Sequence, residues 1–501
     1  MSIAVPPRAR STLALLATAA VVLTAAVRAP DAEARKPSAA PVVFLLFDEF
    51  PGDTLLDRPG HIDATRYPHF ADLARHSTWF QNTQAVADMT VRAIPAILDA
   101  RWPRKRYGHS YKTHPNSLFT LAAAHGYRLH VREVVTRMCP HRLCPVGPSR
   151  AHWQSRRGLR FAKFVRSLRD EPRTLWFEHT ILPHSPRVYL PSGHYYPRGL
   201  PSTEGPSSFF NAFLTRQYQL RFALQLGYLD RLLGHMLARL RRTGLFDKAL
   251  VVVTADHGLA SDLGVFDRRL ATQQNIDEMG AVPLFIKPPL QRRARVERPL
   301  ARSIDLVPTI ADLLRWRVGW RVNGRSLFDP AVRKRRWVRM PSRDFSHVIR
   351  LSLAEFNKRR AENVRHRVAL LGSGHDSPFL IGPHPELVGR PLGEIPVDGF
   401  APVTVRVRQD GFDNVDFASQ KRPVDVVATV LGGTNSSARQ VALAVNGVVA
   451  ATGWSFHLFA DPQEYLSVFM PEEALRPGAN QIELFQVTPD GHLLRMREQP
   501  G

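Results

Sequence analysis

The sequence predicts an α/β fold: a central, mostly parallel sheet flanked by helices, followed by a small all-β C-terminal domain. Three observations carry that expectation. Two continuous apolar runs, Val42–Phe47 and Ala249–Val253, end abruptly in Asp48-Glu49 and in Thr254-Ala255-Asp256-His257-Gly258. Runs of this length, separated by helical patterns, read as buried parallel strands. Between them, Leu220, Leu224, Tyr228, Leu232, Met236 and Leu240 recur at helical spacing, with Gly244 as a stop. Beyond residue 401 the texture changes to short β-branched stretches, with an Asn446-Gly447 turn between two of them.

The elements follow in order. Residues 1–34 hold Arg8 and Arg10, then the uncharged stretch Ser11–Val27, and then Ala32-Glu33-Ala34. The run reads as a signal peptide or a single membrane anchor. The small-x-small triplet favours cleavage, and the length of the run favours anchoring. Either reading puts the remainder outside the cytoplasm, secreted or held at the cell membrane. Residues 41–330 carry the α/β pattern, and a further helix is expected at Pro308–Leu314, with Pro308 suited to its first turn. Residues 331–400, opened by Arg333-Lys334-Arg335-Arg336 and interrupted by Gly and Pro, read as a basic linker and connecting segment. Residues 401–501 contain Val403–Val407, Val424–Val430, Val441–Val445, Val448–Ala451, Leu466–Phe469 and Gln481–Gln486, the strands of a β-rich accessory domain.

Composition narrows the partners. The chain has 501 residues, 68 basic against 44 acidic, and a net charge of +24. Only nine of the basic residues are Lys, and the Arg are spread through every segment. That is a compositional bias rather than a nucleic-acid-binding stripe, and no recognition motif accompanies it. Anionic partners outside the cytoplasm, such as phospholipid headgroups or cell-wall polymers, fit the charge and the compartment better. The two cysteines, Cys139 and Cys144, lie in CPHRLC. In an oxidising compartment they read as a local disulfide, and no second pair exists to complete a zinc site.

Asp48-Glu49 and Asp256-His257 fall at the C-terminal ends of the two inferred strands, where open α/β sheets place their sites. Carboxylates with one imidazole suit a divalent ion such as Mn, Zn, Mg or Ca. Such a site favours metal-assisted chemistry on an anionic ester.

These residues carry a resemblance to the sulfatase and alkaline-phosphatase superfamily. The matching pieces are VVFLLFDE (42–49), ADMTVRAIPAIL (87–98), HTILPHSP (179–186), TADHG (254–258), VPLFIK (282–287) and SIDLVPTIADLL (303–314), in the family's order. The resemblance implies an alkaline-phosphatase-like fold and a sulfatase-like hydrolase or transferase. It implies that Asp48 or Glu49, Asp256 and His257 hold a metal, that Thr90 is the nucleophile and a metal ligand, and that His184 contacts the substrate or its leaving oxygen. His179 and Arg92 follow as substrate-binding candidates. Typical sulfatases begin the nucleophile motif with Cys or Ser, whereas this chain has Thr90-Val91-Arg92-Ala93-Ile94-Pro95. That departure resembles the Thr-dependent branch, the lipoteichoic-acid-synthase-like and phosphoethanolamine-transferase-like enzymes. It implies transfer through a phospho-threonine, to water or to a polymer hydroxyl. Pro95 is expected in the first turn of the helix after Thr90. Asp305 reads as a structural helix-start residue. The rival expectation is a catalytically silent scaffold that binds a cell-surface glycan or polymer through its β domain.

Overall fold

The computed structural model describes residues 1–2, 38–106, 108–145, 156–197, 209–408, 411–432, 438–458 and 461–499. The signal or anchor run therefore lies outside the described residues. Residues 38–501 form one compact unit. No helix among the described residues is long and apolar enough to cross a membrane.

The expected sheet is present, with seven strands. Strand β1 (Val42–Asp48) is buried along its whole length. It lies between β4 (Thr174–Pro183) and β5 (Leu250–Ala255), parallel to both. Strands β2 (Thr78–Phe80), β3 (Arg128–Arg132), β6 (Leu284–Lys287) and β7 (Arg295–Glu297) complete the order β7-β2-β6-β5-β1-β4-β3. Only β6 runs against its neighbours, so the sheet is mixed but mostly parallel.

Alternation along β1 sorts the two cores, because successive side chains leave opposite faces of a strand. Val43, Leu45 and Phe47 join Phe70 from α1 (Pro68–Arg75) and Leu229 and Leu233 from the long helix that follows β4. Val42, Phe44 and Leu46 join Ile94 and Ile97 from α2 (Thr90–Asp99), Phe119 from α3 (Leu118–Ala124) and Ile310 from a helix spanning Leu306–Leu314. The first of these layers also contains α4 (Arg157–Ser167) and α5 (Ala212–Arg242). Asn211 caps α5 by accepting from Phe213 N at 2.9 Å and Leu214 N at 3.0 Å, and Gly244 ends the run with φ 73°.

Residues 337–371, inside the stretch read as a basic connecting segment, form a hairpin (Trp337–Pro341 with Val348–Ser352) and a 19-residue helix (Leu353–Leu371). Arg335 is nearly enclosed and bidentate on Asp305, so one member of the Arg333–Arg336 run is committed to holding Asp305 in place. Residues 397–498 contribute an eight-stranded sheet, with Asn446 and Gly447 at positive φ in the expected turn. One of its faces shares a core with α5: Leu214, Leu220 and Leu224 pack with Val403, Val426 and Val468.

Candidate active site

The loops at the C-terminal edge of β1, β4 and β5 bring the strand-end residues together. Asp48, Asp256 and His257 are buried, and each offers one ligand atom within 4.8 Å of the others. Their order follows from the parallel pairing, since β1 and β5 run side by side as far as Phe47 and Ala255. Glu49 N donates to Asp256 Oδ1 at 3.2 Å, and Phe50 N donates to His257 O at 2.8 Å, which ties the two strand ends. Gly258 is required by space: a Cβ there would lie 2.0 Å from Glu278 O.

Thr90 is the first residue of α2, and Met89 occupies the capping position. Pro95 sits inside the helix rather than in its first turn. Thr90 Oγ1 lies 3.4 Å from Asp48 Oδ1 and 3.3 Å from His257 Nε2. With Asp48, His184, His257 and Arg269, Thr90 lines a cavity of about 380 Å³. Val134 and Val135 close one side. They belong to a loop organised by Glu133, which accepts from Thr136 Oγ1, Met138 N and Cys139 N, and the Cys139–Cys144 disulfide follows directly.

The donor set fits a divalent cation. Among the described residues Asp256 Oδ2 has no hydrogen-bond partner although it is buried, a costly arrangement for a carboxylate. His257 Nδ1 sits 2.7 Å from Gly258 O, a contact satisfied by an Nδ1–H donor, which leaves the Nε2 lone pair facing the carboxylates. Burial pushes Asp256 up to about 6, and the neighbouring Asp48 charge adds to this against the opposing pull of His257. For Asp48, burial is outweighed by His184, His179 and His257, which hold its carboxyl below the usual range. Burial works against protonation of His257, but Asp256, Asp48 and Glu49 raise its proton affinity. Such a concentration of negative charge suits a cation.

The chain separates the other expected residues. Glu49 has φ 56° and is not a member of the group formed by Asp48, Asp256 and His257. Its carboxylate meets His184 Nε2 at 3.4 Å, Arg268 Nε at 3.3 Å, Arg269 Nε at 3.8 Å and Arg187 Nη2 at 3.9 Å. Burial of Glu49 is overcome by His184 and Arg268, so its acidity is increased. His179 is fully buried within β4, with Nε2 3.6 Å from Asp48 Oδ2. Arg92 lies on the far side of Thr90's turn: Nη1 donates to Arg343 O at 2.6 Å, and the guanidinium stacks on Phe345. Sequence reasoning did not single out Arg187, Arg268 or Arg269. The adjacent arginines, eleven and twelve residues beyond His257, were hidden by the abundance of Arg throughout the chain.

Residues 159–315 match the sulfatase family model. Over 127 residues the chain is 32% identical to a multifunctional alkaline phosphatase superfamily protein, PehA of Trinickia caryophylli, covering 25% of this chain and 24% of that protein. Over 105 residues it is 28% identical to arylsulfatase K of Gallus gallus, covering 21% and 19%. The chain thus spans about a quarter or less of the length of the curated relatives it matches. A phosphonate monoester hydrolase of Agrobacterium radiobacter aligns with TM-score 0.45 at 15% identity, over 64% of this chain and 83% of that one. The segment similar to the sulfatase family contains His179, His184, Asp256 and His257.

Proposed function

We propose that the protein is an extracytoplasmic, metal-dependent enzyme that hydrolyses or transfers a sulfuric or phosphoric ester, with phosphoryl transfer through Thr90 favoured. The observation that carries this reading is the position of Thr90 Oγ1, within 3.4 Å of both Asp48 and His257, with all three residues lining one cavity. Asp48, Asp256, His257 and Thr90 would hold the divalent ion. When bound, it supplies a positive charge that lowers the hydroxyl pKa and neutralises the ester oxygens.

Thr90 Oγ1 forms a bond to phosphorus as the bond to the leaving oxygen breaks, and the hydroxyl proton, made acidic, is lost to water in the cavity. His184, held by Glu49, donates a proton to the leaving oxygen. Water, or a hydroxyl of a polymer, then attacks the phospho-threonine and returns Thr90 as a free hydroxyl. Glu49 serves here as the anchor that aims His184, Arg268 and Arg269 at the cavity, and Arg269 offers its guanidinium to a substrate oxygen. His179 supports the orientation of Asp48.

Intact-mass measurement tests the reading. Residues 35–501 incubated with Mn and anionic phospholipid should gain one phosphoryl group, and the Thr90→Ala protein should gain none. An adduct of equal yield in Thr90→Ala would overturn the nucleophile assignment.

A further inference from the structure

The hairpin of Trp337–Pro341 and Val348–Ser352 has two unlike faces. Val338, Met340, Ile349 and Leu351 point inward and share a core with Ile276, Met279 and Phe356. The outward face carries Trp337, Arg339, Val348 and Arg350, with Trp337 43% and Val348 53% exposed. In the register Arg339 stands directly opposite Arg350. Like charges so placed repel across the strand pair, so the hairpin's own stability gains nothing from them. Arg350 stacks on Trp337 with its guanidinium 4.7 Å from the ring centroid.

The surroundings of this face are equally one-sided. Residues 333–352 hold seven cations and one acid, Asp344. Arg335 is committed to Asp305 and Arg343 to Asp267 and Asp88, while Arg333 lies 3.5 Å from Glu297. Lys334, Arg336, Arg339 and Arg350 are exposed and have no carboxylate partner among the described residues. The backbone beneath them is braced, because Gln84 donates to Arg339 O and Gln273 donates to Arg350 O at 2.7 Å. At the hairpin's turn, Arg343 O accepts from Arg92 and Phe345 underlies the Arg92 guanidinium, which ties the turn to the first turn of α2.

We propose that this face docks the protein on an anionic phospholipid bilayer. Lys334, Arg339 and Arg350 meet headgroup phosphates, and Trp337 and Val348 enter the interfacial layer. Charge complementarity selects an anionic surface, since each Lys or Arg near such a leaflet adds to binding. The apolar members select a bilayer over a dissolved polyanion: Trp is favoured at headgroup depth, and Val348 gains only where water is excluded. Docking is independent of which group Thr90 transfers. Because the turn touches α2, it brings the Thr90 end of that helix close to the membrane.

The test uses residues 35–501, which keep the whole compact unit and lack the apolar Ser11–Val27 run. This protein should sediment with vesicles of phosphatidylcholine and phosphatidylglycerol and stay in solution with phosphatidylcholine alone. Arg339→Ser/Arg350→Ser should weaken binding to the anionic vesicles by about tenfold or more, and Arg339→Lys/Arg350→Lys should recover most of it. Lys358→Ala/Arg365→Ala removes the same charge from the exposed side of the Leu353–Leu371 helix and should change binding by less than about threefold. Trp337→Ser/Val348→Ser should weaken vesicle binding by about fivefold or more while leaving affinity for dextran sulfate unchanged. The substituted side chains face water, so urea midpoints should match the parent protein. No binding to the anionic vesicles, or equal losses from the two charge pairs, would overturn the docking face. Loss from the arginine pair with no effect of the Trp337/Val348 pair would also overturn it, and would assign the face to a dissolved polyanion.

Discussion

Asp48 and Glu49 are adjacent, yet their carboxylates have different partners. Asp48 leaves β1 on the α2 side and meets Thr90, His179 and the Asp256-His257 pair. Glu49, in the left-handed region, meets His184 and three arginines. The proposed roles separate by measurement. Asp256→Asn should lower bound Mn, read by elemental analysis of the purified protein. Glu49→Gln should retain the metal while raising KM several-fold, because the guanidiniums and His184 lose their anchor. Gly258→Ala should lower stability by at least about 2 kcal/mol in denaturant unfolding, since a Cβ cannot fit against the Glu278 carbonyl.

At the scale of elements, β4 carries an internal strain of charge. Glu178 is fully buried, and burial pushes its carboxyl up to about 8 despite Arg132 and Arg160. The native state therefore keeps a proton that the unfolded chain releases above about pH 4.5. This contribution to stability falls as pH rises from about 4.5 to about 8, by on the order of a few kcal/mol in total. Glu178→Gln should be more stable than wild type at pH 8 and nearly equal to it near pH 4.5, as read by the difference in urea midpoints. Removing the α5 cap with Asn211→Ala should cost about 1 kcal/mol in the same assay.

Element boundaries were legible where burial wrote a continuous pattern. The expected strands at 42–47 and 249–253 match β1 and β5 closely, and the C-terminal stretches match strands at 425–431, 440–445, 448–454 and 464–469. The hairpin at 337–352 escaped notice because its outward positions are Trp337, Arg339 and Arg350, set among other arginines. The Leu353–Leu371 helix escaped because it buries only Phe356, Val364 and Leu371, too few to make an apolar stripe.

Across the whole molecule, α5 joins the two sheets. Its Arg221 reaches Asp425 at 3.4 Å with both side chains enclosed, and Gln217 donates to Ser467 O in the same layer. Leu214, Leu220 and Leu224 share their core with the C-terminal strands. Asp425→Ala should cost about 3 kcal/mol or more, because it leaves a buried guanidinium without its carboxylate. Residues 38–501 should unfold in a single calorimetric transition, and a chain ending at residue 400 should expose this face of α5 and aggregate. Two separated transitions in the intact protein would count against the shared core.

The sequence by itself determined the sheet, the long helix, the β-rich C-terminal region, the disulfide pair and the strand-end acids, because burial and turn chemistry are written locally as periodicity and residue type. It also supplied the candidates for the proposed chemistry, through the ordered motifs around Asp48, Thr90, His184 and Asp256. Only the tertiary structure decided how they divide. It placed Thr90 between Asp48 and His257, sent Glu49 to the arginines, buried His179 beneath Asp48, and turned Arg92 to the Arg343 carbonyl. The physical reason is that one backbone turn at Glu49 and one helix start at Thr90 set those directions, and neither leaves a periodic trace in the sequence.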